Sequence, residues 1–162
     1  MTPTNCDGIL SSIEIKSEKV VELMLMPYIK FNGNCEEAFL RYAQIFNGEI
    51  QQISKYGDTP ENPDMPMDEE LKSKVMHAQL MLPGLGGISG ADYTEPVAKS
   101  GNVLIQAHLS NETSAQQIFS ALAAGGNIIG PLATNPPPDD NSISGCVEDS
   151  FGVTWIISAR TN

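Results

Sequence analysis

The sequence predicts an α+β fold made of two βαβββ modules. Three observations carry that expectation. The order strand, helix, strand, strand, strand reads twice along the chain, the copies roughly 75–80 residues apart. Each copy has a short segment of alternating residues before its helix, the period-2 pattern of a half-buried strand. Each then carries one amphipathic helix that stops at glycine. A helix and a sheet that are each apolar on one side must bury those sides against each other.

The first copy opens at Tyr28 to Phe31, where Ile29 and Phe31 fall on the core side. Asn32-Gly33 turns the chain, and Asn34 with Glu37 is expected to form a capping box at the helix start. Ala38, Phe39, Tyr42, Ile45 and Phe46 make the buried stripe, and Gly48 is the expected stop. Glu49 to Tyr56 reads as the second strand. Gly57 to Glu70 mixes three prolines with acidic residues and is expected to be a solvated loop. It lacks the D-x-D-x-D-G spacing of a calcium site. Val75 to Leu82 alternates again, with Met76, Ala78, Leu80 and Leu82 on one face and Val75, His77, Gln79 and Met81 on the other. A glycine-rich corner at Pro83 to Gly87 leads to a fourth strand at Ile88 to Tyr93. The corner has neither the spacing nor the lysine of a phosphate-binding loop.

Thr94 to Gly101 links to the second copy. Val103 to Leu109 is its first strand, with Val103, Ile105, Ala107 and Leu109 on one face, of which Ile105, Ala107 and Leu109 are assigned to the core, and Leu104, Gln106 and His108 on the other. Thr113 and Gln116 suggest a capping box, Ala115, Ile118, Phe119 and Leu122 the stripe, and Gly125-Gly126 the stop. Further strands are expected near Asn127 to Leu132, Ile143 to Val147 and Val153 to Ala159, with a proline-rich polar loop at 136–140. Before the first copy, residues 1–22 form an N-terminal extension. Its Ile9, Ile13, Ile15, Val20 and Val21 suit a peripheral or dimer-contact segment.

Composition bounds the function. The 162 residues carry twenty acidic against nine basic side chains, a formal charge of −11, which argues against nucleic acid or an anionic membrane as partner. No apolar run is long enough to span a bilayer, and the first residues lack the basic start and apolar centre of a signal peptide. Cys6, Cys35 and Cys146 have no CxxC spacing, so neither a disulfide framework nor a zinc knuckle is expected, and a cytoplasmic location fits. Glu36 and Glu37 oppose thiolate formation at Cys35, although it stands at a helix start.

The string Pro27-Tyr28-Ile29-Lys30-Phe31-Asn32-Gly33-Asn34-Cys35-Glu36-Glu37-Ala38, with Tyr42 and Phe46-Asn47-Gly48, resembles the opening of PhnB-like proteins. These are a branch of the vicinal-oxygen-chelate superfamily, which includes glyoxalase I, bleomycin-resistance proteins and dioxygenases. Lys74 to Ala78 resembles the family's third strand, and Glu148 to Trp155 its closing hairpin. The resemblance implies one domain over 23–162, with modules at about 23–93 and 101–160. It also implies curved mixed sheets around a cavity, and a homodimer. On the faces turned toward such a cavity it places Tyr28, Lys30, His77, Gln79, Gln106 and His108, the candidate ligand-binding residues. A water-accessible pocket would satisfy their polar groups.

Metal-binding members of the superfamily take His, Gln or Glu ligands from the first and last strands of each module. The matching positions here are Met26 or Pro27, Leu104 and Ile156, none of which offers an oxygen or imidazole donor. No metal or other cofactor is therefore expected. Such proteins are sometimes labelled methyltransferases, but no glycine-rich cofactor loop follows the first strand here. The expected function is binding of a small organic molecule. The alternatives are a divalent-metal lyase or dioxygenase with displaced ligands, and a non-catalytic scaffold dimer.

Overall fold

The computed structural model describes residues 24–161 except 62, 65, 85 and 99–101. The N-terminal extension expected at 1–22 lies outside the described residues.

The first module contains β1 (Tyr28–Phe31), α1 (Cys35–Phe46), β2 (Glu49–Lys55), the short α2 (Glu69–Ser73), β3 (Val75–Leu82) and β4 (Gly86–Asp92). The second contains β5 (Ile105–Leu109), α3 (Glu112–Ala123), β6 (Asn127–Thr134), β7 (Ser142–Glu148) and β8 (Thr154–Arg160). Each module folds into its own four-stranded mixed sheet, ordered β1-β4-β3-β2 and β5-β8-β7-β6. In each, the first and last strands pair in parallel and the other neighbours are antiparallel. The sheets stay open, and the twofold βαβββ order is the one read from the sequence. Among the described residues no helix is long and apolar enough to cross a membrane.

Both helix stripes are buried as their periodicity requires: Ala38, Phe39, Tyr42 and Phe46 on α1, and Ala115, Phe119 and Leu122 on α3. Beneath each helix, a strand glycine lets an aromatic ring approach the sheet. A Cβ on Gly90 would stand 3.1 Å from Phe39, and one on Gly145 would stand 2.8 Å from Phe119. The stripe of α1 also reaches the other module. Tyr42 and Phe46 pack their rings on Trp155 of β8, with centroids 5.3 and 5.1 Å apart. Arg41 Nη2 donates to the carbonyls of Ala121 (3.1 Å) and Ala124 (2.8 Å) at the end of α3, where a cation meets the negative helix terminus. One continuous core therefore joins the modules.

Four local expectations are corrected. The N-terminus of α1 is not capped by Asn34, whose side chain makes no capping bond. The carboxylate of Asp92, at the end of β4, does it instead, accepting from Gly33 N (2.9 Å) and Cys35 N (3.0 Å) through Oδ1 and from Val75 N (2.9 Å) through Oδ2. On α3 the cap is Asn111, which accepts from Ser114 N at 2.8 Å, so the helix starts earlier than a Thr113 box allows. Helix α1 ends on Asn47 in the left-handed conformation (φ 52°), not on Gly48. Gly48 is small because a Cβ there would lie 2.7 Å from Met81 O. A register shift between Ser54 and Lys55 also turns Val75 into the core with Ala78 and Leu80.

The acidic segment ends in helix α2, where a loop was expected. Asp68 caps it by accepting from Leu71 N at 2.8 Å. Lys72 pairs with Glu69 (3.1 Å) and Lys74 with Glu70 (3.0 Å), so these carboxylates face cations and the positive helix end.

Candidate functional site

A cleft of about 440 Å³ opens where the first module meets the second. Its walls come from β1, from Val97 and Ala98 in the link, from Val103 before β5 and Ile105 at its start, and from Phe151 to Thr154 at the start of β8. The volume lies in the range of small-molecule sites, and most of the wall is apolar.

Tyr28 and Lys30 line the cleft from β1. The strand places them there by alternation, since Ile29 and Phe31 are held against the core. Tyr28 is half-exposed and stacks on His77 of β3, with ring centroids 6.0 Å apart and planes 27° apart. Partial burial, helped by Tyr93, pushes its phenol above the ordinary tyrosine value, so it is a protonated donor at neutral pH. Lys30 Nζ lies 4.4 Å from the centre of the Tyr93 ring and makes no ion pair among the described residues.

The backbone of β1 adds to the site. Pro27 O and Phe31 O accept from Ser89 N (2.9 Å) and Tyr93 N (2.8 Å) on the β4 side. Alternate residues of a parallel strand point their amides and carbonyls the other way, so those of Tyr28 and Lys30 point to the open edge of β1, the strand that borders the cleft. At the mouth, Asn32 Oδ1 accepts from Val97 N at 2.9 Å and straps the link to the end of β1.

The other four candidates lie elsewhere on the sheets. His77 stands beside Tyr28, and Gln79 Nε2 approaches Met26 Sδ at 3.7 Å and Met81 Sδ at 4.0 Å. Gln106 and His108 share one face of β5 and are exposed. Gln106 Nε2 donates to Ser158 Oγ (3.1 Å), and His108 Nδ1 lies 3.0 Å from that same oxygen. No hydrogen bond or ring contact joins this pair to the Tyr28 group among the described residues. Periodicity missed Asn32, Val97 and Thr154 in the cleft and Ser158 beside His108. Nothing in a strand's alternation shows which neighbouring strand it will meet.

Of the positions that match the superfamily's metal ligands, Met26 faces Gln79, Leu104 is 41% exposed, and Ile156 stands opposite Gln106 in the ladder. Among the described residues no three His, Cys, Asp or Glu side chains are grouped so as to hold a metal ion. Cys35 is buried, and burial together with Asp92 and Glu36 pushes its thiol up to about 12, so it stays protonated.

A family profile described as 3-demethylubiquinone-9 3-methyltransferase matches residues 23–158. The crystal structure of protein PA1353 from Pseudomonas aeruginosa is 30% identical, covers 86% of this chain and 99% of that one, and superposes with a TM-score of 0.73. A putative 3-demethylubiquinone-9 3-methyltransferase, PhnB protein, from Bacillus cereus is 23% identical over 85% of this chain and 99% of that one, with a TM-score of 0.67. The fosfomycin resistance protein FosX from Listeria monocytogenes, solved with Mn(II) and sulfate ion, shares the fold at 13% identity and a TM-score of 0.52, over 88% of this chain and 93% of that one. No curated protein matches the chain.

Proposed function

Because the chain belongs to the family described as 3-demethylubiquinone-9 3-methyltransferase, the PhnB-like branch of the vicinal-oxygen-chelate superfamily, we propose that it binds a small organic molecule in the cleft between its modules. The observation that carries this reading is the cleft itself. It offers an apolar wall, a stacked tyrosine, an ammonium group and the outward backbone groups of β1 within one concavity. That combination suits a compact, partly aromatic ligand with an acceptor or weakly anionic group for Lys30 and Tyr28.

The reading involves no metal. Met26, Leu104 and Ile156 supply none of the oxygen or imidazole donors a hard divalent ion takes. It also does not extend to methyl transfer, since β1 runs through a single Asn32-Gly33 corner into α1 without a glycine-rich loop. His77 supports the wall behind Tyr28, and Gln79 contacts Met26 next to it in the chain. We infer a homodimer as the functional unit, because each open sheet leaves edge strands for a second copy to cover.

Native mass spectrometry of freshly purified protein tests the reading. The expected result is a co-purifying organic mass that is reduced in Lys30→Gln and in Tyr28→Ala. A wild-type protein that carries no such mass and gives no thermal shift with any member of a small-aromatic-acid library would overturn it. So would one stoichiometric transition metal retained through dialysis.

A further inference from the structure

Strand β1 borders the cleft with its edge rather than with one face. A face lines a cavity with alternate residues, whereas Tyr28, Ile29, Lys30 and Phe31 all line this one. The sheet order ends at β1, and no strand pairs with its outer side among the described residues. Pro27 O and Phe31 O are taken by β4, so the outward amides and carbonyls are those of Tyr28 and Lys30, two residues apart. Beyond Lys30 the link already closes over the edge, where Val97 N donates to the Asn32 side chain. The open stretch is therefore short, about 13 Å for a four-residue strand. Across from it the wall is apolar, with Val103, Ile105, Phe151 and Val153. Among the described residues that line the cleft, Lys30 is the single charged side chain, and it makes no ion pair. Its ammonium lies over Tyr93, whose N–H bonds Phe31 O, so the charge sits at the strapped end of the edge.

We propose that the cleft takes a short linear peptide of about three residues, extended along β1 and parallel to it. Its backbone pairs with Tyr28 and Lys30, and its terminal carboxylate meets the Lys30 ammonium. The proposal rests on the reading that the cleft binds a small organic molecule, and it names the class of that molecule. An extended peptide repeats its N–H and C=O groups on one side every two residues, as the β1 edge does. Its side chains alternate about the strand, so an apolar one reaches the far wall. The strap at Asn32 leaves no room for a chain to continue, which suits a chain terminus at Lys30. An aromatic acid without amides would satisfy the ammonium and leave the edge unmatched.

The probes are the tripeptide Ala-Phe-Ala, its C-terminal amide, two analogues N-methylated at Phe or at the last Ala, and 3-phenylpropanoate. Amide ¹H–¹⁵N spectra of the full chain follow each titration. The tripeptide is expected to move the Tyr28 and Lys30 amide signals, to slow their exchange with solvent, and to bind about tenfold more tightly than 3-phenylpropanoate. One N-methyl analogue should lose about five- to tenfold in affinity and the other clearly less, because successive N–H groups of an extended chain point to opposite sides. The C-terminal amide should bind more weakly than the acid, a difference that disappears in Lys30→Gln. Unmoved Tyr28 and Lys30 amides, or equal losses from the two methylations, overturn the proposal. So does 3-phenylpropanoate binding as tightly as the tripeptide, an outcome that leaves the broader cleft reading standing. Binding by none of the probes overturns the peptide, and silence from the aromatic-acid library as well overturns the cleft reading with it.

Discussion

Asp149 gathers four donors on one buried carboxylate. Tyr42 Oη (2.7 Å) and Trp155 Nε1 (2.8 Å) donate to Oδ2, while Phe151 N (2.9 Å) and Val153 N (3.0 Å) donate to Oδ1. The same group thus holds the β7–β8 turn and ties α1 of the first module to β8 of the second. Burial, reinforced by this carboxylate, drives the Tyr42 phenol far above its ordinary value, so it remains a donor. Tyr42→Phe is expected to cost about 1–2 kcal/mol and Asp149→Ala at least about 3 kcal/mol, because the latter strands several buried donors. Urea denaturation of the two variants measures the order. A core residue and a face residue should separate just as clearly. Phe31→Ala opens a cavity costing about 3–5 kcal/mol, whereas His108→Leu on the open face should stay within about 1 kcal/mol of wild type. If His108→Leu unfolds the protein while Phe31→Ala is tolerated, the strand faces are assigned the wrong way round. At Cys35 the neutral thiol is favoured by folding, so any stability it adds is present below its ordinary value of 9.0 and is lost as pH rises above it. Iodoacetamide at pH about 9 should therefore leave Cys35 unmodified in the native protein and alkylate it in urea, as read by peptide mass mapping.

Helix α1 depends on a residue that is not part of it. Asp92 joins the turn after β1, the first residue of α1 and the first residue of β3, so one carboxylate sets where three elements meet. Replacing it with alanine should cost about 2–4 kcal/mol. Amide exchange should then accelerate first at Cys35 and Val75, and uniform protection across α1 would contradict the assignment. The other end of α1 is local. Asn47 adopts a left-handed turn that glycine tolerates and alanine does not, so Asn47→Gly should be close to neutral and Asn47→Ala should cost about 1 kcal/mol.

The whole molecule is one core with two open sheets and a surface of net charge −11. An open sheet leaves edge strands with unpaired backbone groups, which a second copy can cover. A homodimer is the expected state, and light scattering that returned 17.4 kDa at all micromolar concentrations would rule it out. The acidic surface should also keep the protein off heparin and off anionic vesicles at physiological salt, and binding to either would contradict the charge argument.

Both βαβββ units, the helix stripes and the inward faces of β1 and β5 were legible in the sequence. Periodicity of 2 and 3.6 is written locally, and burial enforces it residue by residue. The family resemblance carried by Pro27 to Ala38 and Glu148 to Trp155 was legible for the same reason, because those strings sit at turns and caps with narrow chemical demands. The cap on α1 was not legible, since the carboxylate that accepts from it lies 57 residues away at Asp92. Nor was the cleft, which exists because the edge of β1 comes to lie against Val103, Ile105 and Thr154 of the other module. The contact between Ser158 Oγ and His108 Nδ1 depends on parallel pairing of β5 with β8 across 50 residues. A chain encodes the sidedness of each strand in neighbouring residues, but which edges meet and which distant polar groups satisfy each other is settled only when the modules share a core.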